Sequence, residues 1–308
     1  MIAALGGCLG VVLLYYGAEF LVKGGTSIAL KMKVSPLVIG LTLVAYATSA
    51  PELVVSVDAA LKGLGDVSMG NVVGSNICNI ALILGLCAMI TPLKVNANLL
   101  KLDVWVMILS ALALLVCYFL TGAVGRVWGS GFFLCCILYT IWNVCSSKRD
   151  NAAQEQPARE DRNIFLAVAL AAGGLAFLVL GAKLFVNAAI VIAKALGVSD
   201  AVIGLTVVAV GTSLPELATS VVAAVRKQQD IAIGNVVGSN IFNILAILGI
   251  APLASPIVTK DISPVDMCLM FAVSVLLYPF MRTGMRINRL EGMALLAIYI
   301  SYTVYLIV

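Results

Sequence analysis

Thr48-Ser49-Ala50-Pro51-Glu52, followed by Gly70-Asn71-Val72-Val73-Gly74-Ser75-Asn76-Ile77-Cys78-Asn79-Ile80, is the stretch whose reading decides the fold. Both runs interrupt an apolar segment, Leu37 to Leu86. An acid beside a proline is costly in lipid, so it belongs in a polar site enclosed by protein. The arrangement recurs 164 residues later as Thr212-Ser213-Leu214-Pro215-Glu216 and Gly234-Asn235-Val236-Val237-Gly238-Ser239-Asn240-Ile241-Phe242-Asn243-Ile244. Aligned without a gap, residues 38–86 and 202–250 share 30 identities in 49 positions, an internal duplication that carries its polar residues with it.

Outward from these motifs, the composition sets the class. Of 308 residues, 62% are hydrophobic and 11% charged, and the long apolar runs exclude an ordinary soluble domain. The formal charge of +4 belongs to membrane topology and leaves no nucleic-acid reading. Eight cysteines lie mostly in apolar segments, as packed thiols rather than disulfides or a metal cluster. The absence of histidine removes the usual proton shuttle and transition-metal ligand. Without a basic n-region, the first twenty residues read as a spanning helix rather than a signal peptide. No enzyme motif, ATP site, organic cofactor or obligate protein partner is indicated.

Ten spans are predicted, at 2–22, 36–60, 67–91, 102–121, 126–145, 163–185, 200–225, 230–253, 264–281 and 288–307. This predicts an all-α polytopic membrane protein with repeats at 1–145 and 163–308, joined by a polar linker at 146–162. One side of the membrane receives 14 basic residues and the other 5, which puts the linker in the cytoplasm and both termini outside, in a cell inner or plasma membrane. Five spans per repeat reverse the second copy. The motifs then enter from opposite faces and meet near the middle about a pseudo-two-fold axis, as in a secondary transporter.

Pro51 frees the helical acceptor at Ala47, and Pro215 does the same at Gly211. Thr48 and Ser49 lie four and three residues before Glu52, on about its helical face, and Thr212, Ser213 and Glu216 repeat that spacing. Ser75 and Asn79 share a face, as do Ser239 and Asn243. Asn79 and Asn243 are favoured as inward ligands or ligand organisers, Asn76 and Asn240 as hydrogen-bonding residues across helices, and Asn71 and Asn235 as residues that cap or join the helix entries. A packing-only reading explains the kinks by prolines and the motif glycines by close helix approach. Two carboxylates with hydroxyl, amide and carbonyl oxygens instead suit a hard cation, calcium or sodium more than magnesium. Glu19, aligned with Lys183, reads as an interhelical or boundary charge, Asp58 as an interfacial acid, and Asp66 and Asp230 as short-loop residues.

These motifs resemble the two alpha repeats of the sodium/calcium exchanger family, within the wider cation/calcium antiporter group. Ala47 to Glu52 with Gly70 to Asn76, and Gly211 to Glu216 with Gly234 to Asn240, carry the resemblance. It implies an antiporter of calcium and sodium ions amid membrane lipids, with calcium efflux driven by sodium influx; calcium/proton antiport is the alternative, and a cation channel or a non-transporting scaffold are lesser ones. It implies Glu52 and Glu216 as central acids, surrounded by Thr48, Ser49, Thr212, Ser213, Ser75 and Ser239. It further implies backbone oxygens of Ala45 and Ala209 at ion sites, an amide at Asn79, and movement of spans one and six against the core. Asn243 stands where members of the family carry aspartate, a departure that bears on stoichiometry and proton coupling.

Overall fold

The structure, a computed structural model, describes residues 2–152, 163–195 and 209–307. Its helices are α1 (Ile2–Met32), α2 (Pro36–Thr48), α3 (Ala50–Leu61), α4 (Gly65–Ile90), α5 (Ala97–Thr121), α6 (Arg126–Ala152), α7 (Ile164–Ala195), α8 (Ala209–Thr212), α9 (Leu214–Val225), α10 (Gln229–Ala254), α11 (Pro264–Arg282) and α12 (Arg289–Ile307). Among the described residues, seven are long and apolar enough to cross a membrane, and the bent pair α2/α3 makes an eighth. With the shorter α8/α9 and the 19-residue α12, they form the two five-helix halves of an all-α integral membrane protein. The first part of the expected seventh span, 200–208, and most of the linker, 153–162, lie outside the described residues.

Local chemistry sets the boundaries. Ser35 caps α2 by accepting from Val38 N, with Pro36 at the first helical position, where a missing N–H costs nothing. Ser263 and Asp266 form a reciprocal capping box on α11. Gly122 ends α5 at φ 60°, a left-handed conformation open to glycine. Two helices outrun their expected spans: α1 continues from 22 to Met32 and α7 from 185 to Ala195. Apolar length stops counting at Lys23, but Ser27, Ile28 and Ala29 are still buried, so tertiary packing extends the helix beyond its most hydrophobic part.

A two-fold relation between the halves is visible contact by contact. A Cβ on Gly10 would lie 2.8 Å from Gly181 O, and one on Gly174 2.7 Å from Gly17 O; shifting each member of the first pair by 164 residues produces the second. This glycine seam brings the α1 and α7 backbones together. A Cβ on Gly85 would lie 3.0 Å from Gly292 O, and one on Gly129 3.0 Å from Gly249 O, an exchange of the same kind between α4/α12 and α6/α10. Four two-residue strands, absent from the sequence reading, obey it too. β1 (Leu93–Lys94) pairs with β4 (Arg286–Ile287), and β2 (Ala123–Val124) with β3 (Ile257–Val258), both antiparallel. They satisfy backbone groups where the chain turns between helices. Contacts that map onto themselves when the halves are exchanged are the mark of a two-fold axis.

Candidate functional site

The site grows from two identical breaks. Ser49 adopts φ −85°, ψ 7° between α2 and α3, and Ser213 adopts φ −88°, ψ 7° between α8 and α9. Pro51 and Pro215 sit at the second position of the new helices, where no N–H is required. The α2/α3 axis bends by 47° there. Glu52 and Glu216 consequently fall in the first turns of α3 and α9, near the favourable positive end of the helix dipole. Both are 1% exposed.

The breaks also decide where the neighbouring hydroxyls go. Ser49 Oγ donates to Glu216 Oε1 at 2.8 Å, and Ser213 Oγ donates to Glu52 Oε1 at 3.3 Å. Each serine therefore serves the acid of the other half, which corrects the expectation that it shares a face with its own. Helical spacing does not survive the non-helical ψ at the serine itself. Thr212 lies against Glu52 and Thr48 against Glu216 in the same crossed sense. Among the described residues, Oε2 of both glutamates is buried without a hydrogen-bond partner.

A second wall comes from α4 and α10, each of which widens into a π-helical turn. The turns begin beside or at the predicted amides: Cys78–Leu84 contains Asn79, and Asn243–Ile247 opens with Asn243. A third widening, Gly40–Val44, immediately precedes Ala45. Such turns release carbonyls from the regular ladder and recur at functional sites. The turn carrying Asn79 packs against α9, and the one carrying Asn243 packs against α3, so each turn adjoins the acid-bearing helix of the other half. Both atoms of the Asn79 amide, Asn243 Oδ1 and Ser239 Oγ are buried without a partner among the described residues. Ser75 Oγ accepts from Ser213 Oγ at 3.4 Å. Ala45 O already accepts from Ser49 N at 3.0 Å and Thr48 Oγ1 at 3.2 Å; Ala209 begins α8, immediately after residues outside the described part.

Other asparagines depart from their expected roles. Asn71 does not cap α4: its Nδ2 donates to Glu52 O at 3.1 Å and Ser56 Oγ at 2.8 Å. Asn235 repeats this on Glu216 O at 3.4 Å and Ser220 Oγ at 2.9 Å, while its Oδ1 accepts from Thr48 Oγ1 at 3.1 Å. These two amides brace the acid-bearing turns. Ser56 and Ser220 were legible as duplicated residues but sit outside the motifs. Asn76 bonds across helices as expected, donating to Asn240 O at 3.4 Å. Asn240 does not, because neither of its side-chain polar atoms has a partner among the described residues. Thr219 Oγ1 is likewise buried and unpartnered there, three residues after Glu216; Val55 replaces it in the first copy, so duplication gave no signal.

The motif glycines serve packing as well. A Cβ on Gly234 would fall 2.9 Å from Leu37 O, and one on Gly238 2.5 Å from Leu41 O, so α10 lies backbone to backbone on α2. Among the remaining acids, Glu19 pairs with Lys23 at 2.7 Å and Arg226 at 2.8 Å, Asp58 with Lys62 at 2.6 Å, and Asp66 Oδ1 accepts from the Lys260 and Asp261 amides. Among the described residues, no three His, Cys, Asp or Glu side chains cluster, so the convergent oxygens come from two acids with neutral groups around them.

Comparison with known proteins places this architecture. A sequence model described as sodium/calcium exchanger protein matches residues 2–145 and 166–308. The chain is 36% identical to the sodium/calcium exchanger MaX1 of Methanosarcina acetivorans, covering 97% of this chain and 96% of that one. It is 38% identical to membrane protein MJ0091 of Methanocaldococcus jannaschii, over 95% and 94% of the two chains. A solved structure of the sodium-calcium exchanger NCX_Mj, soaked with zero Na+ and Ca2+, superposes with a TM-score of 0.86 at 35% identity, over 99% of this chain and 98% of that one.

Proposed function

The chain belongs to the sodium/calcium exchanger protein family, and from that premise we propose that its ions pass through the centre built on Glu52 and Glu216. The protein is a secondary sodium/calcium antiporter and not an enzyme. The observation that carries the site assignment is the exchange of serine hydroxyls between halves, which holds one oxygen of each glutamate and leaves Oε2 without a protein partner among the described residues. Two carboxylates balance the double charge of calcium, which accepts six to eight oxygens in flexible geometry. Thr48, Ser49, Thr212, Ser213, Ser75, Ser239, Asn79 and Asn243, with carbonyls of Ala45 and Ala209, supply the neutral oxygens. Sodium uses subsets of the same set.

In this reading residues 1–145 and 163–308 are the two transmembrane units, and 146–162 is a cytoplasmic linker. The 14-to-5 bias of basic residues supports that orientation, with both termini outside. The α1–α7 pair, joined along its glycine seam, moves against the remaining helices to alternate access. Sodium influx then drives calcium efflux. The test is calcium uptake into reconstituted vesicles, with sodium, proton and potassium gradients imposed separately. Uptake follows the sodium gradient; uptake that ignores sodium and follows protons overturns the sodium-coupled cycle.

A further inference from the structure

We infer that Asn76, which is outside the proposed ligand set, is a positioning residue that makes Asn243 present oxygen rather than nitrogen to the bound cation. The inference rests on the site assignment above and concerns a residue that binds no ion itself.

The argument is one of donors and acceptors. Asn76 Nδ2 faces the backbone carbonyl of Asn240 at 3.4 Å and Met270 Sδ at 3.9 Å. A carbonyl and a thioether can only accept, so the amino group of Asn76 belongs on that side. Its Oδ1 is thereby directed to Asn243, whose Nδ2 donates to it at 3.0 Å. Turning the Asn243 amide over would set two amide oxygens against each other and lose that bond. Asn243 Oδ1 is what remains, buried and without a partner among the described residues, on the π-helical turn that packs against the Glu52 helix. A cation is attracted by that oxygen and repelled by an N–H in its place.

The device is one-sided. Exchanging the halves maps Asn76–Asn243 onto Asn240–Asn79, but both atoms of both those amides are unpartnered among the described residues. No hydrogen bond among the described residues sets the orientation of the Asn79 amide, whereas that of Asn243 is held as an acceptor. Among the described residues, only the second half has the amide at this position fixed by such a bond.

Asn76→Leu and Asn76→Ala separate orientation from mere support. Calcium-dependent protection against thermal unfolding gives a binding midpoint for each purified variant, whether or not it transports, and vesicle uptake gives KM and maximal rate. Either variant is expected to raise the calcium midpoint and KM about tenfold with little change in maximal rate. In an Asn243→Asp background, which has no amide nitrogen to misplace, the same Asn76 changes leave the midpoint unchanged or lower. An equal loss in both backgrounds assigns Asn76 a structural role and overturns the inference, as does an unchanged midpoint in the parent background. If Glu52→Gln silences calcium exchange while both Asn76 variants bind calcium normally, the site stands and this inference alone fails. If Glu52→Gln exchanges calcium normally, the site assignment fails and takes the inference with it.

Discussion

Ser49 and Ser213 show how one residue joins two halves of a chain. Each donates to the opposite glutamate, so its value to the site depends on a residue more than 160 positions away. Removing the hydroxyl in Ser49→Ala is expected to weaken calcium binding about tenfold, the scale for groups that orient a ligand. The loss should couple more strongly to Glu216→Asp than to Glu52→Asp in a double-mutant cycle, because Ser49 bonds Glu216 directly and meets Glu52 only through the shared site. Calcium-dependent thermal shifts measure the terms of both cycles, and stronger coupling to Glu52 than to Glu216 would reverse the crossed geometry. Replacing an acid outright goes further: Glu52→Gln or Glu216→Gln removes one of two charges that balance calcium, and should abolish most sodium-driven uptake while the protein still inserts. Near-normal uptake by either variant would separate that acid from the transport site. The pairing of acid and hydroxyls was legible in the spacing, whereas their crossed partnership was not, since it depends on the ψ of 7° at each serine.

Among elements, the decisive contacts are glycine to backbone. α10 rests on α2 with Gly238 so close to Leu41 that an added Cβ would stand 2.5 Å from its carbonyl oxygen and 2.7 Å from its Cα. Backbone cannot move aside as a flexible side chain does, so Gly238→Ala is expected to cost about 1–3 kcal/mol, read as a lowered Tm in detergent. Gly173→Ala is the control. Its Cβ would meet nothing within 4 Å among the described residues, so exchanging glycine for alanine in this helix should be neutral or stabilising by up to about 1 kcal/mol. Equal losses from the two changes would mean that helix approach at Gly238 does not limit stability. The motif glycines announced close packing in the sequence. The α1–α7 seam and the π-helical turns did not announce themselves, because a seam needs both partners in view and π turns have no residue signature comparable to a proline.

At the scale of the whole molecule, the inverted halves set orientation and charge balance. Single cysteines placed in 146–162, in a background stripped of native cysteines, should be labelled only from the cytoplasmic side, and cysteines at either terminus only from outside; external labelling of the linker in intact cells would reverse the topology. Two ionised glutamates holding one calcium ion are neutral, and the same pair holding three sodium ions carries one positive charge. If the centre alternates between one calcium and three sodium ions, returning the two loaded forms through opposite access states moves one charge per cycle, worth about 2.3 kcal/mol at 100 mV. Calcium uptake under a clamped potential should therefore change with voltage. Sodium dependence without voltage dependence would fit two sodium ions per calcium and leave the glutamate assignment in place.

The duplication was decided within the chain itself: 30 identities in 49 positions, five spans to a copy, and one buried acid in each were enough to require two inverted halves around a shared polar centre. Periodicity and cost in lipid act locally, and local rules can be read from local residues. Tertiary structure alone decided which donor faces which acceptor. Ser49 with Glu216, Asn71 with the Glu52 carbonyl, and Asn76 with Asn243 are all directed by backbone breaks and by the approach of distant helices. The repeat made Asn76 and Asn240 equivalent in sequence, yet of the two side chains only that of Asn76 has hydrogen-bond partners among the described residues. An amide has a donor end and an acceptor end, and only its surroundings in three dimensions choose between them.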